Sequence, residues 1–349
     1  MSSTATMTVT DVKANKGMNL VPTYEIKLQL DPTVVLDADH KLNSTVQSTF
    51  GMPAAATRIN VGFLDTSCTQ LFEAGWCVRV RRVEGEPSLD LTYKKRFDIV
   101  VGDIDAALTT ANANGFNASD KKYEARVECR HKKQTLTVRR IKEAATSDDT
   151  GVDLPSTRDS RRLLREEAPE RFDNWGCKKW GTAILAAARI FGPVMVRRSI
   201  GDWKGMKLYV EVWPILDAEG TGLDYIVEAS FKTDNRATAA AEQTRLQEVL
   251  MSKGWFLAGD MSKTQLIMER YGGAELAPII ERDVVKYGRA GGIMSWRDSE
   301  LRAVSSRFPM ANLTDDGPKW IQGRIEGSVT SGRNGRSPDV TESLNGSPG

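Results

Sequence analysis

The sequence predicts an α+β protein in which antiparallel strands form the centre and helices pack around them. Three observations lead there. The stretch Thr23–Leu30 alternates with period two, putting Tyr24, Ile26, Leu28 and Leu30 on one face and Thr23, Glu25, Lys27 and Gln29 on the other. The same alternation, with charged residues on the polar face and both signs present across the set, recurs, so that eight segments share it: 23–30, 76–83, 89–96, 123–129, 134–141, 193–199, 206–213 and 223–232. Helical patterns cluster between and after these segments rather than alternating regularly with them.

Composition narrows the function classes. The chain has 349 residues, 40% hydrophobic and 27% charged, enough for a large core. Its 48 Lys and Arg against 46 Asp and Glu give a formal charge of only +2, which argues against a general nucleic-acid binder and requires any functional charge to be local. Cys68, Cys77, Cys129 and Cys177 lack CxxC spacing, and His40 and His131 are the only histidines, so neither a zinc centre nor a histidine-based triad is expected. The polar N-terminal stretch shows no apolar signal region, and no apolar run approaches a membrane span, so a cytoplasmic location without membrane contact is expected.

Taken in order, residues 1–20 are Ser/Thr/Lys-rich and expected to be mobile. After the first strand, Arg58–Phe63 reads as a short strand and Ser67–Gly75 as a turn or helix ending at Gly75. Trp76–Val83 and Leu89–Arg96, joined by Gly85-Glu86-Pro87-Ser88, make a hairpin. Ile104–Ala113, Arg158–Phe172 and Lys178–Phe191 have helical patterns, and a helix capped by Asp234 ends at Gly254. Ser262 opens a shorter helix, Lys263–Tyr271. Residues 21–272 are expected to form one domain, 273–323 a helical or irregular appendage, and the Gly/Ser/Asn-rich 324–349 a disordered tail.

The polar faces admit two architectures. An ordinary sandwich would leave them in water, whereas a sheet closed on itself would turn them inward. In the closed case cations outnumber carboxylates inside, and the lumen attracts a polyanion. Lys and Arg would bind phosphate oxygens, and carboxylates could hold Mg²⁺ or Mn²⁺ against them.

The order of motifs resembles the CYTH-like, triphosphate tunnel metalloenzyme superfamily, which includes triphosphatases and class IV adenylate cyclases. Thr23-Tyr24-Glu25-Ile26-Lys27 resembles the opening Glu-x-Glu-x-Lys strand. Phe63-Leu64-Asp65-Thr66, Val78-Arg79-Val80-Arg81-Arg82, Leu91-Thr92-Tyr93-Lys94 and Tyr123-Glu124-Ala125-Arg126-Val127-Glu128 follow in the family's order. Val196-Arg197-Arg198, Tyr209–Trp213, Tyr225–Ser230 and the Ser262 helix start continue it, so the resemblance covers about residues 21–271. Thr23 and Ser230 stand where the family has glutamates, so two of its metal ligands are absent.

The resemblance implies a closed eight-stranded antiparallel β-barrel, a tunnel with a charged interior and helices outside. It implies a metal-dependent enzyme acting on a small-molecule tri- or diphosphate, foremost a phosphohydrolase. A diphosphate-eliminating lyase (a nucleotide or prenyl-diphosphate cyclase) and a non-catalytic polyphosphate-binding module are the alternatives. Phosphate would be held by Lys27, Arg79, Arg81, Lys94, Arg126 and Arg197. A single Mg²⁺ or Mn²⁺ would sit on Glu25, Glu211 and Glu228. Lys27, Glu128 and Glu211 are the expected catalytic residues, a carboxylate orienting water. Tyr209 and Trp213 would meet an organic moiety or plug one end.

Overall fold

The structure, a computed structural model, describes residues 17–145 and 151–272. All of them lie in the first of two compact units, Met1–Val284. Residues 1–16, the expected appendage and the expected tail lie outside the described residues. Gly17–Leu20 are packed: Asn112 Nδ2 donates to the Gly17 carbonyl at 2.6 Å and Leu20 is buried.

In chain order the elements are β1 (Thr23–Leu30), α1 (Pro32–Val35), α2 (Ser44–Thr49), β2 (Thr57–Asp65), α3 (Gln70–Glu73), β3 (Trp76–Val83) and β4 (Ser88–Asp98). Then come α4 (Ile104–Ala113), β5 (Glu124–Cys129), β6 (Gln134–Ala145), α5 (Thr157–Glu166), α6 (Glu170–Asp173), α7 (Trp180–Ala186) and β7 (Arg189–Trp203). The last are β8 (Met206–Leu216), β9 (Leu223–Thr233), α8 (Arg236–Ser252), β10 (Phe256–Leu257) and α9 (Lys263–Arg270).

The sheet runs β10-β1-β5-β6-β4-β3-β2-β7-β8-β9, and β9 pairs back onto β1, so nine strands close a barrel with β10 outside it. The count exceeds the expected eight because β2, whose inward residues are apolar, completes the wall between β3 and β7. Every neighbouring pair is antiparallel except β1 and β5, which run parallel over Thr23–Ile26. Closure satisfies the backbone groups that an open sheet would leave at its edges.

The apolar strand faces point outward. Ile26, Leu28 and Leu30 of β1 join Leu246 and Leu250 of α8 in the main core, and α4 buries Ile104, Ala107, Leu108 and Ala111 beside β4 and β6. Local signals hold in several places. Gly75 ends α3 at φ +72°, a left-handed conformation that favours glycine. Ser262 caps α9, accepting from the Gln265 amide at 3.1 Å.

Other boundaries move. The expected helix over 158–172 is divided into α5 and α6 around Pro169, which lacks the N–H that a continuing helix needs. The expected helix over 178–191 stops at Ala186, and Arg189–Phe191 pair with β2 as the start of β7. The cap of α8 is Asn235, not Asp234: its side chain accepts from the Thr238 amide at 2.9 Å.

The interior also departs from the expectation of a wholly charged lumen. Ile59, Val61, Phe63, Cys77, Val194, Val196 and Trp213 turn inward and meet Ile267 and Met268 of α9 and Tyr271 at its C-terminal cap. Leu216 N–H donates to Tyr271 Oη at 3.3 Å and Arg189 donates to the Tyr271 carbonyl at 2.6 Å. The helix thereby fills the barrel where β7 begins and β8 ends.

Candidate functional site

The rest of the lumen is a cavity of about 270 Å³. Eleven basic and four acidic side chains line it, a formal excess of seven positive charges inside a chain whose total is +2. The charge is arranged in three groups.

The first is built where β1, β5 and β9 meet. Pairing sets Glu25 beside Glu128 on one side and Lys232 on the other. Two buried carboxylates in adjacent strands need cations between them. Lys27 Nζ lies 3.3 Å from Glu25 Oε2 and 3.2 Å from Glu128 Oε2. Lys94 and Arg130 reach Glu128 at 3.0 and 3.1 Å, and Arg126 reaches Glu25 at 3.2 Å. Burial by itself would raise the Glu25 carboxyl, but Lys27 and Arg126 outweigh it and hold it down to about 2. Glu128 is likewise held well below the carboxylate range against its burial by Lys27, Lys94 and Arg130. Burial pushes Lys94 down to about 8 even though Glu128 opposes it, and Lys232 down to about 8 against Glu25.

The second group is made by β8, β9 and α9. Glu211 and Glu228 are direct cross-strand partners. Lys263 Nζ bridges them, 2.8 Å from Glu211 Oε2 and 2.7 Å from Glu228 Oε1. Arg198 donates twice to Glu211 Oε1, at 2.9 and 2.6 Å, and Trp213 Nε1 donates to its Oε2 at 2.9 Å. Burial would raise Glu211, yet Lys263 and Arg198 hold it well below its usual range.

The third group is arginine-rich. Arg81 pairs with Asp90, and Arg139 lies 2.7 Å from Glu124. Arg79 has no ion pair among the described residues; its Nε donates to Thr92 Oγ1 at 3.4 Å. Burial and the neighbouring Arg81 push Arg79 down to about 10. A desolvated guanidinium beside others is costly unless an anion joins it.

Of the residues expected from the sequence, Lys27, Arg79, Arg81, Lys94, Arg126, Glu25, Glu128, Glu211, Glu228, Tyr209 and Trp213 all line the cavity. Tyr209 lies with Arg198 at 5.4 Å and Lys232 at 5.5 Å from its ring centroid, whereas Trp213 belongs to the buried apolar cluster and its ring lies against Lys263 Nζ. Arg197 is the exception. It donates outward to the His40 carbonyl at 3.2 Å, and Arg198 faces the lumen instead. Val194, Val196 and Arg198 share one strand face, and because the two valines pack inward in the apolar cluster, Arg198 rather than Arg197 is inside.

Arg130 and Lys263 escaped the sequence reading altogether. Arg130 lies one residue past β5, beyond the alternating pattern, and Lys263 is the first residue of a helix; the Ser262 cap placed that helix but gave no sign of the lysine's reach.

The three carboxylates expected to share a metal are separated. Glu25 belongs to the first group and Glu211 with Glu228 to the second, where an ammonium already joins them. Among the described residues no cluster of three or more His, Cys, Asp or Glu side chains could hold a metal ion. As placed, Glu25, Glu211 and Glu228 do not form one three-carboxylate ligand set, and Lys263 takes the Glu211 and Glu228 oxygens that a Mg²⁺ or Mn²⁺ ion there would need.

The fold and lumen define a basic tunnel barrel suited to a compact polyanion. No protein-family profile matches the chain, and no curated protein matches its sequence. Among solved structures it is similar to HpAC1 from Hippeastrum, described as a candidate adenylyl cyclase with a dominant triphosphatase activity, at 17% identity and TM-score 0.40 over 73% of this chain and 97% of that one. It is also similar to a candidate adenylate cyclase from Bacillus halodurans, at 11% identity and TM-score 0.38 over 72% and 97% of the two chains. A third is the PH1819 protein from Pyrococcus horikoshii, at 14% and 0.36 over 71% and 99%. Among the described residues, no helix is long and apolar enough to cross a membrane.

Proposed function

We propose that the tunnel is an enzyme site for a small-molecule tri- or diphosphate, with hydrolysis of a phosphoanhydride as the reaction. The observation that carries this reading is the excess of seven positive charges around one cavity. That cavity, about 270 Å³, is near the lower end for small-molecule pockets, roughly 300–1,000 Å³. It suits a phosphate chain better than a whole nucleotide.

Arg79, with no ion-pair partner among the described residues, and Arg81 beside it would take phosphate oxygens, joined by Lys27, Lys94 and Arg126. Phosphoryl transfer asks mainly for positioning and for stabilisation of charge on the phosphate oxygens, and cations held in fixed positions around a cavity supply both. Lys94, brought to about 8 by burial, is suited to give a proton to a leaving phosphate oxygen near neutral pH. Glu128 and Glu211, expected to orient water, have their oxygens taken by Lys27, Lys94 and Arg130 and by Arg198, Lys263 and Trp213. We assign them to holding those cations in place. No step is routed through a metal ion.

A second reading is favoured by one feature. Ile59, Val61, Phe63 and Val196 put an apolar wall on the same cavity as the cations. Expulsion of diphosphate from an organic substrate would use both surfaces. A panel of tri- and diphosphates, scored separately for orthophosphate and diphosphate, tests these readings. Orthophosphate release that falls in Lys27→Ala and Arg79→Ala supports hydrolysis, and diphosphate without orthophosphate supports elimination. Binding without turnover would make the chain a polyphosphate-binding module, and neither binding nor turnover would end the phosphate reading.

A further inference from the structure

We propose that Lys263 is a built-in cation occupying the Glu211–Glu228 pair in place of a divalent metal ion, so that this pair is a receptor for the chain's own ammonium. The β8–β9 register sets the two carboxylates opposite each other, a destabilising arrangement unless a cation lies between them. Lys263 Nζ is within 2.8 Å of both, and the Trp213 ring covers it with its centroid 4.6 Å away.

The lysine is held there by more than its own side chain. Ser262 caps the helix that carries it, and Ile267, Met268 and Tyr271 anchor that helix in the apolar end of the barrel. The side chain is 15% exposed, so it is not a surface lysine that happens to be near two acids.

Charge balance points the same way. Glu211 and Glu228 are matched by Lys263 and Arg198, which leaves no net negative charge to draw in a divalent ion. An arriving ion would have to displace the ammonium and leave it desolvated beside Arg198, a strongly unfavourable exchange. Burial alone would lower the Lys263 pKa, but Glu211 and Glu228 together raise it above its ordinary value.

The statement about this pair does not depend on the phosphate reading, and its test uses no phosphate. Mn²⁺ is titrated into the full chain and followed by electron paramagnetic resonance. Wild type and Glu228→Gln are expected to bind Mn²⁺ alike, within about twofold, because the pair is not a metal site. Lys263→Met removes the ammonium and keeps the apolar stem; it is expected to gain one Mn²⁺ equivalent bound at least about tenfold more tightly, and Lys263→Met/Glu228→Gln to lose it. A wild-type Mn²⁺ equivalent that Glu228→Gln weakens about tenfold, or a folded Lys263→Met that gains none, would overturn the proposal. Should Lys263→Met fail to fold, the wild-type comparison with Glu228→Gln still decides. A separate titration in which wild type fails to bind tripolyphosphate would end the phosphate reading and leave this result standing.

Discussion

Replacing Glu128 with Gln tests the interior network most directly. The carboxylate is 4% exposed and lies within 3.2 Å of Lys27, Lys94 and Arg130. Glutamine keeps its shape but removes the counter-charge that Lys94 and Arg130 pair with, and one of the two that Lys27 pairs with. Breaking a buried ion pair costs about 3–5 kcal/mol, and three partners set the expectation at the upper part of that range. One process limits the loss. Lys94 already sits at about 8, and without Glu128 it falls further and sheds its proton near neutral pH.

The expected loss at neutral pH is therefore roughly 3–4 kcal/mol, or on the order of 10 °C in Tm at about 2–4 °C per kcal/mol. Thermal unfolding with and without tripolyphosphate is the assay. The anion should restore more stability to Glu128→Gln than to wild type, since it supplies the missing negative charge and binds only the folded tunnel. A Tm within about 2 °C of wild type, or an equal shift by tripolyphosphate in both proteins, would refute the reasoning.

Arg79→Ala should weaken tripolyphosphate binding by roughly 10- to 100-fold, the worth of about 1.5–3 kcal/mol for a charge-assisted contact, by calorimetric titration. Its Tm without ligand should not fall, because a desolvated cation with no ion pair among the described residues is removed. Arg198→Ala should lower stability and anion affinity while Arg197→Ala leaves affinity unchanged; equal effects would contradict the parity of β7 described above. Tripolyphosphate affinity should fall as pH rises through about 8, where free Lys94 and Lys232 lose their protons, and Lys94→Met with Lys232→Met should flatten that profile. At the acid end, Glu25 is depressed to about 2 from the ordinary 4.5. Its contribution to stability is complete above 4.5 and is lost as pH falls through about 2, and Glu25→Gln should remove that part of the acid limb in unfolding titrations.

The alternation of single strands was legible in the sequence. Glu25 with Lys27, Arg79 with Arg81, and Lys94 each occupy the polar face that period two assigns them, because a strand has only two faces and the apolar one seeks the core. The Gly75 and Ser262 signals placed helix ends for equally local reasons. Charge pattern and motif order together directed most of the candidate residues to one place, and the lumen contains all of them but Arg197.

What only the tertiary structure decided is which face is inside, and what meets there. Val194 and Val196 look like an outward face until α9 enters the barrel and gives them an apolar partner inside, which sends Arg197 out and Arg198 in. Glu25 and Glu228 lie about two hundred residues apart, and no local pattern tells whether closure brings them to one ion or to two groups. The strand register places Glu25 beside Glu128 and Glu228 beside Glu211, and a lysine from a helix far along the chain joins the second pair. Side-chain spacing is a local property of the backbone. Ion pairing in the lumen depends on sheet closure, register and the helix that fills it, which are properties of the whole fold.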